Sequence, residues 1–327
     1  MESVQSTNQV SLPGQKSPTY EAGLVLKMLN YEPLRYLTGD STNQVLLVKN
    51  KKSHQLSTIK IHRKHENNVS NQLESHVSEL IDLLMRRDQQ FPFWCKFFGV
   101  ILENRFTGLV FEFISGETLQ SLAKRSGGMK PHEAKFYIAE ILLALNYLHE
   151  HSIVHNDVET ENIMITETGH IKLINFSRSE VVEYQEKYWN KYNRVSRSMN
   201  PYFNDWISLG SVTEEIITSD YKSYPGWEDC ISFINQTQQV NDRISDMNLF
   251  HHPWFKDLHW YRVKNLEYQA PYLPEIFSQG VIDVLNSPAI EKDEKLDGEV
   301  NKGSRITRGT KRGKSHDGSS CASIAIR

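Results

Sequence analysis

Ile153-Val154-His155-Asn156-Asp157-Val158-Glu159-Thr160-Glu161-Asn162-Ile163-Met164-Ile165 is followed, after five residues, by Ile171-Lys172-Leu173-Ile174-Asn175-Phe176-Ser177. The stretch begins where the clearest helical pattern of the chain ends. From Pro131 to His149, the residues Phe136, Ile138, Ile141, Leu142, Leu145 and Leu148 form a wide apolar stripe at three-to-four spacing. Further upstream the period changes. Leu34-Arg35-Tyr36-Leu37, Val45-Leu46-Leu47-Val48 and Leu56-Ser57-Thr58-Ile59-Lys60-Ile61 read as strands separated by turn-forming residues, which predicts an antiparallel meander. A helical segment follows, with Leu73, Val77, Leu80, Ile81, Leu84 and Met85 on one face, and strand character returns over 97–114. A small strand-rich part followed by a larger helical part predicts an α+β architecture with a cleft between the two.

The separations among His155, Asp157, Asn162 and Phe176 resemble the catalytic loop and metal-binding loop of eukaryotic protein kinases, H-R-D-x-x-x-x-N followed by D-F-G. Other landmarks fall in order. Lys60 sits in Thr58-Ile59-Lys60 where that family has its third-strand A-x-K, and Asp205-Trp206-Ile207-Ser208-Leu209-Gly210 is similar to the kinase D-x-W-x-x-G segment. Phe91-Pro92-Phe93, Asp242-Arg243, His252-Pro253-Trp254-Phe255 and Gln269-Ala270-Pro271-Tyr272-Leu273-Pro274 resemble the AGC group, the cAMP-dependent kinases among them. The resemblance covers about residues 34–280 and implies a two-lobed kinase fold. It implies a small lobe over 19–114, a large lobe over 115–266 and an AGC-like extension over 267–286.

The resemblance also assigns roles. Asp157 is the implied base that orients a substrate hydroxyl, with Asn162 beside it, and Asn162 and Asn175 stand at the metal-ligand positions. Lys60 is the implied phosphate ligand, paired with Glu79 by one count of spacing and with Asp82 by another. Val45, Thr58, the hinge residue Phe113 and Glu117, a ribose contact, complete the implied nucleotide set. The apolar hinge residues read equally well as plain core strand.

Departures from the pattern are as informative as matches. The three glycine positions of the phosphate loop hold Thr38, Asp40 and Asn43, so the loop is expected to grip ATP poorly. Asn175 replaces an aspartate, and a neutral amide oxygen is a far weaker ligand for a hard cation. Glu159 replaces a lysine that touches the γ-phosphate. A like charge about 4 Å from phosphate costs roughly 4 kcal/mol at an effective dielectric near 20. Asn156 replaces the arginine that pairs with a phosphorylated activation loop. No A-P-E sequence lies between Ser177 and Asp205, and Thr218 to Gly226 reads as a loop where a substrate-docking helix is usual. The resulting expectation is a catalytically impaired, pseudokinase-like protein that acts by binding, with weak ATP binding and poorly held Mg²⁺ or Mn²⁺. The alternative is a slow, atypical ATP-dependent serine/threonine kinase that uses Asp157 and Asn162.

Composition sets the outer limits. The 327 residues carry 37 Lys+Arg and 40 Asp+Glu, a net charge of −3, which excludes whole-surface attraction to nucleic acid or acidic membranes. Cys95, Cys230 and Cys321 are too few and too scattered for a disulfide framework or a CxxC metal pair. His149, His151 and His155 do not match a zinc-ligand spacing. With no apolar run of 18 residues, no signal-like amino terminus, and Glu2 where myristoylation needs glycine, the expected location is intracellular, cytoplasmic by default. Residues 1–18 and 287–327 read as disordered. The second of these contains Lys302, Arg305, Arg308, Lys311, Arg312 and Lys314, which offer a route to the nucleus and the one expected contact with nucleic acid. A protein partner or protein substrate is expected elsewhere.

Overall fold

The alternation that marks strands in the first third of the chain closes into one sheet in the computed structural model, which describes residues 25–39, 43–63, 84, 91–182, 201–238 and 249–274. Its strands are β1 (Val25–Leu26), β2 (Tyr31–Gly39), β3 (Asn43–Asn50), β4 (Leu56–Arg63), β5 (Phe97–Leu102) and β6 (Phe106–Glu112). They lie in the order β1-β5-β6-β4-β3-β2. All neighbours are antiparallel except β1, which runs parallel to β5 and adds an edge strand that the sequence pattern does not announce. In β4 the period of two buries Ile59 and Ile61 on one face and turns Thr58 and Lys60 to the other. Val45 and Leu109 flank Lys60 in register on that second face.

The helical part begins after β7 (Gly116–Thr118) with α1 (Leu119–Ser126), capped by Thr118 Oγ1, which accepts from Ser121 N at 3.1 Å. α2 (Pro131–Glu150) starts on a proline, and the Glu133 carboxylate accepts the Lys130 N–H at 2.8 Å. Its apolar stripe, Ile138, Ile141, Leu142, Leu145 and Leu148, is fully buried and forms the centre of the core. β8 (Ile153–Val154), β9 (Ile163–Thr166), β10 (Ile171–Leu173) and β11 (Glu180–Val181) follow, with β7, β9 and β10 in one small sheet and β8 and β11 in another. α3 (Phe203–Ile216), α4 (Trp227–Gln238) and the short α5 (Trp260–Lys264) complete the described elements. This is the two-lobed α+β kinase architecture the resemblance implies.

Aromatic rings join the two parts. Phe91 stacks on Tyr147 of α2 at 4.2 Å, and Trp94 lies edge-on to Phe176 at 6.4 Å. At the far end, the 269–274 stretch packs on the large lobe: Tyr137 Oη donates to the Tyr272 carbonyl at 3.3 Å and Tyr272 Oη donates to Glu133 at 2.9 Å. Gly169, with φ +84°, allows that approach, because a Cβ there would sit 2.6 Å from the Tyr272 carbonyl oxygen. Among the described residues, Thr218 to Gly226 carries only the 3₁₀ turn Tyr221–Ser223, as its composition suggests, and no helix is long and apolar enough to cross a membrane. The helical segment around 73–85 lies outside the described residues apart from Leu84, which is buried, and so do both terminal segments.

Candidate active site

The polar loop between α2 and β9 is held from beneath by one buried carboxylate. Asp205, in the first turn of α3, has no solvent exposure. Its Oδ2 accepts the His155 N–H at 2.8 Å and lies 2.9 Å from His149 Nε2, while its Oδ1 accepts the Asn156 N–H at 2.8 Å. These bonds hold Asn156 in a left-handed conformation, φ 60°, which an asparagine tolerates. The buried His155 ring meets the Ile174 carbonyl at 3.2 Å and packs edge-on against Phe176 at 5.1 Å. The loop and the turn at Asn175, itself at φ 62°, are thereby fixed to each other.

Above this platform the expected residues converge. Asn162 Nδ2 donates to the Asp157 carbonyl and to Asp157 Oδ2, both at 2.9 Å. Asn175 Nδ2 donates to Asp157 Oδ2 at 2.9 Å and to Asn162 Oδ1 at 3.1 Å. Asn175 Oδ1 in turn accepts from Lys60 Nζ at 2.7 Å and from Ser177 Oγ at 2.8 Å, and Lys60 Nζ also donates to Ser177 Oγ. On the other side of the carboxylate, Arg178 Nη1 stands 3.3 Å from Asp157 Oδ1. Burial pushes the Lys60 ammonium down to about 8, against the opposing pull of the Asp157 charge.

A hard divalent cation needs free oxygen lone pairs, and part of that capacity is already engaged in this arrangement. Asn175 Oδ1 already faces two donors, one of them cationic, and Asn162 Oδ1 faces an amide N–H. Among the described residues no group of three His, Cys, Asp or Glu side chains is placed to hold a metal.

Toward the base-binding side, Thr58 Oγ1 donates to the Glu112 carbonyl at 3.4 Å, so its hydroxyl is turned to the end of β6. Val45 and Phe113 are half-buried. Glu112 accepts the Lys96 N–H at 2.8 Å and pairs with Lys172, tying the hinge to β10. Glu117, the implied ribose contact, pairs with Arg125 at 2.6 Å. Glu159 is exposed and borders, with Glu161 and Glu215, an acidic recess of about 200 Å³ between α1 and α3. Glu79 and its alternative Asp82 lie outside the described residues, as do Asp40 and the Tyr184–Tyr192 stretch.

Three participants escape a reading by motif. Ser177 stands where the resemblance has glycine, and that substitution was its only signal. Arg178 has none, because its proximity to Asp157 arises from the turn at Asn175. Asp205 is visible as part of a motif, but its three bonds to the loop emerge only in space.

Comparison with known proteins bears on the family. Residues 37–203 match the family model described as "Protein kinase domain". The chain is 27% identical over 221 residues to a cAMP-dependent protein kinase catalytic subunit of Schizosaccharomyces pombe, covering 57% of this chain and 43% of that protein. It is 27% identical over 282 residues to the corresponding protein of Arthrobotrys oligospora, covering 74% and 53%. A probable serine/threonine protein kinase of Arabidopsis thaliana is 33% identical over 152 residues, 46% of this chain and 13% of that protein. The chain thus spans about half or less of the length of these relatives.

Proposed function

The chain belongs to the protein kinase domain family, and from that premise we propose that it is a degenerate AGC-type kinase. In this reading it holds nucleotide weakly and acts by binding a protein partner rather than by rapid phosphoryl transfer. One observation carries the reading: the oxygen that would face a cation at position 175 accepts hydrogen bonds from Lys60 and Ser177. Phosphoryl transfer depends on electrostatic stabilisation of spreading charge, and metal ions supply several kcal/mol of it. Each ~1.4 kcal/mol forgone is a factor of ten in rate.

A thermal-shift titration with ATP, with and without Mg²⁺ or Mn²⁺, tests the reading, since a ligand selective for the native state raises the midpoint. The expected result is a small shift with ATP that the divalent ion does not enlarge. A large, strictly Mg²⁺-dependent shift would overturn it.

The second reading, a slow serine/threonine kinase, is favoured by a specific fact: Asp157 and Asn162 are bonded to each other, and Asn175 links them to Lys60. Robust radiolabel transfer to a protein hydroxyl that vanishes in Asp157→Ala would establish it in place of the first.

A further inference from the structure

We propose that Arg178, rather than a divalent cation, holds the terminal phosphate of a nucleoside triphosphate in this cleft. The inference rests on the nucleotide-binding reading above and deepens it. Arg178 closes the 3₁₀ turn Phe176–Arg178 that starts at Asn175. Its backbone is tied to the catalytic loop: its carbonyl accepts from Asn156 Nδ2 at 3.2 Å, and the adjacent Ser179 Oγ donates to the His155 carbonyl at 3.2 Å. Just beyond, β11 pairs with β8. The chain is therefore fixed at the base of the arginine, while its side chain is 70% exposed.

Asp157 consequently has a cation on each side. Through Asn175, its Oδ2 is linked to the buried Lys60, and its Oδ1 faces the exposed Arg178. A polyphosphate whose inner groups meet Lys60 would bring its last group toward Arg178. The present contact, a single 3.3 Å approach made by a largely exposed guanidinium, is of the weak kind. A bidentate guanidinium–phosphate pair is stronger and geometrically matched. Arg178 thus exchanges Asp157 for the phosphate on binding, which also frees the Asp157 oxygen. The arginine offsets the charge that the resemblance expected from the residue now occupied by Glu159.

The test is calorimetric titration of the full chain in EDTA with ATP, ADP and AMP, repeated on Arg178→Ala, Arg178→Lys and Arg178→Glu. The wild type should prefer ATP over ADP by about tenfold, the scale of one charge-assisted pair. Arg178→Ala should bind ADP as the wild type does but lose the ATP preference; the lysine variant should keep part of it, and the glutamate variant should bind ATP more weakly than ADP. If Arg178→Ala keeps the preference, or binds ATP more tightly than the wild type, the assignment of Arg178 falls while nucleotide binding stands. If the wild type binds none of the three nucleotides, both this assignment and the nucleotide-binding reading fall.

Discussion

The loop from His155 to Asn162 has two sides that follow different rules. Below it, the buried Asp205 carboxylate meets two backbone N–H groups and a histidine ring, and the path of the chain is fully determined. Above it, Lys60, Asn175, Ser177, Asn162 and Asp157 bond chiefly to one another, using up the groups a nucleotide and its metal would engage. The scaffold of a kinase domain and the charge distribution of its cleft are therefore separable. The path of the loop depends on the lower side, whereas the charge offered to a ligand depends on the upper.

The sharpest way to break this comparison is to attack the lower side. Asp205→Ala removes the acceptor of the His155 and Asn156 N–H groups and the bond between this carboxylate and the buried His149 ring. Loss of one member of such a buried set costs about 3–5 kcal/mol. Denaturant titration should show a midpoint lowered accordingly, with the loop's resistance to proteolysis reduced. A loss below about 1 kcal/mol would mean that the loop is held by something else.

On the upper side the next effect is a pH dependence. Lys60 is pushed down to about 8 in the folded chain, whereas an unfolded lysine titrates near 10.5. Between those values the unfolded state binds more protons, so stability rises with pH. Below about pH 8 the buried ammonium is a constant penalty; rising to about pH 10.5 removes it, a gain of about 3 kcal/mol. Lys60→Met should abolish this slope and be more stable than the wild type at pH 7. Metal-free ATP binding should run the opposite way and weaken as the amine loses its charge above about pH 8.

How much of this is legible in the sequence follows from the same division. The architecture was legible because its signals are local and periodic: the α2 stripe, the alternation of β2 to β4 and the spacing from His155 to Phe176 all survive in the structure, whereas the bonds from Asp205 to the loop are long-range and were not. The sites of Asp157, Asn162, Asn175 and Lys60 were legible as positions through the resemblance to the kinase motifs, and in the structure they lie within one hydrogen-bonded group. Their bonding was not. That Asn175 would turn its amide to Asp157 and its oxygen to Lys60 depends on Ser177 and on the φ 62° turn, neither of which a motif specifies. Likewise Glu117 matched a ribose-contact position, but its pairing with Arg125 depends on two turns of α1 bringing that arginine back over it. The edge strand β1 has only two residues, too few for a periodic signal.

Asn175→Asp sharpens the comparison from the other direction. The amide that donates to Asp157 Oδ2 at 2.9 Å becomes a second carboxylate facing the first. Without a metal the two carboxylates repel, an effect that Lys60 beside the new charge partly offsets, and a midpoint loss corresponding to about 1 kcal/mol is expected in EDTA. Mg²⁺ should restore it, because the variant now offers an anionic ligand beside Asn162, while the wild type should be indifferent to Mg²⁺. Equal sensitivity of the two proteins to Mg²⁺ would show that the amide is no barrier to the metal.

The smallest effect separates two roles for one residue. If Glu117 serves only its pair with Arg125, whose side chain is 36% exposed, then Glu117→Gln should cost about 0.5 kcal/mol and leave nucleotide affinity unchanged. If Glu117 also meets a ribose, affinity for ATP and ADP should drop together by about tenfold, since a site built around a hydroxyl suffers when its acceptor is changed. Because the arginine already holds Glu117 at 2.6 Å, the first outcome is the expected one, and parallel calorimetry and denaturant titration of this single variant distinguish the two.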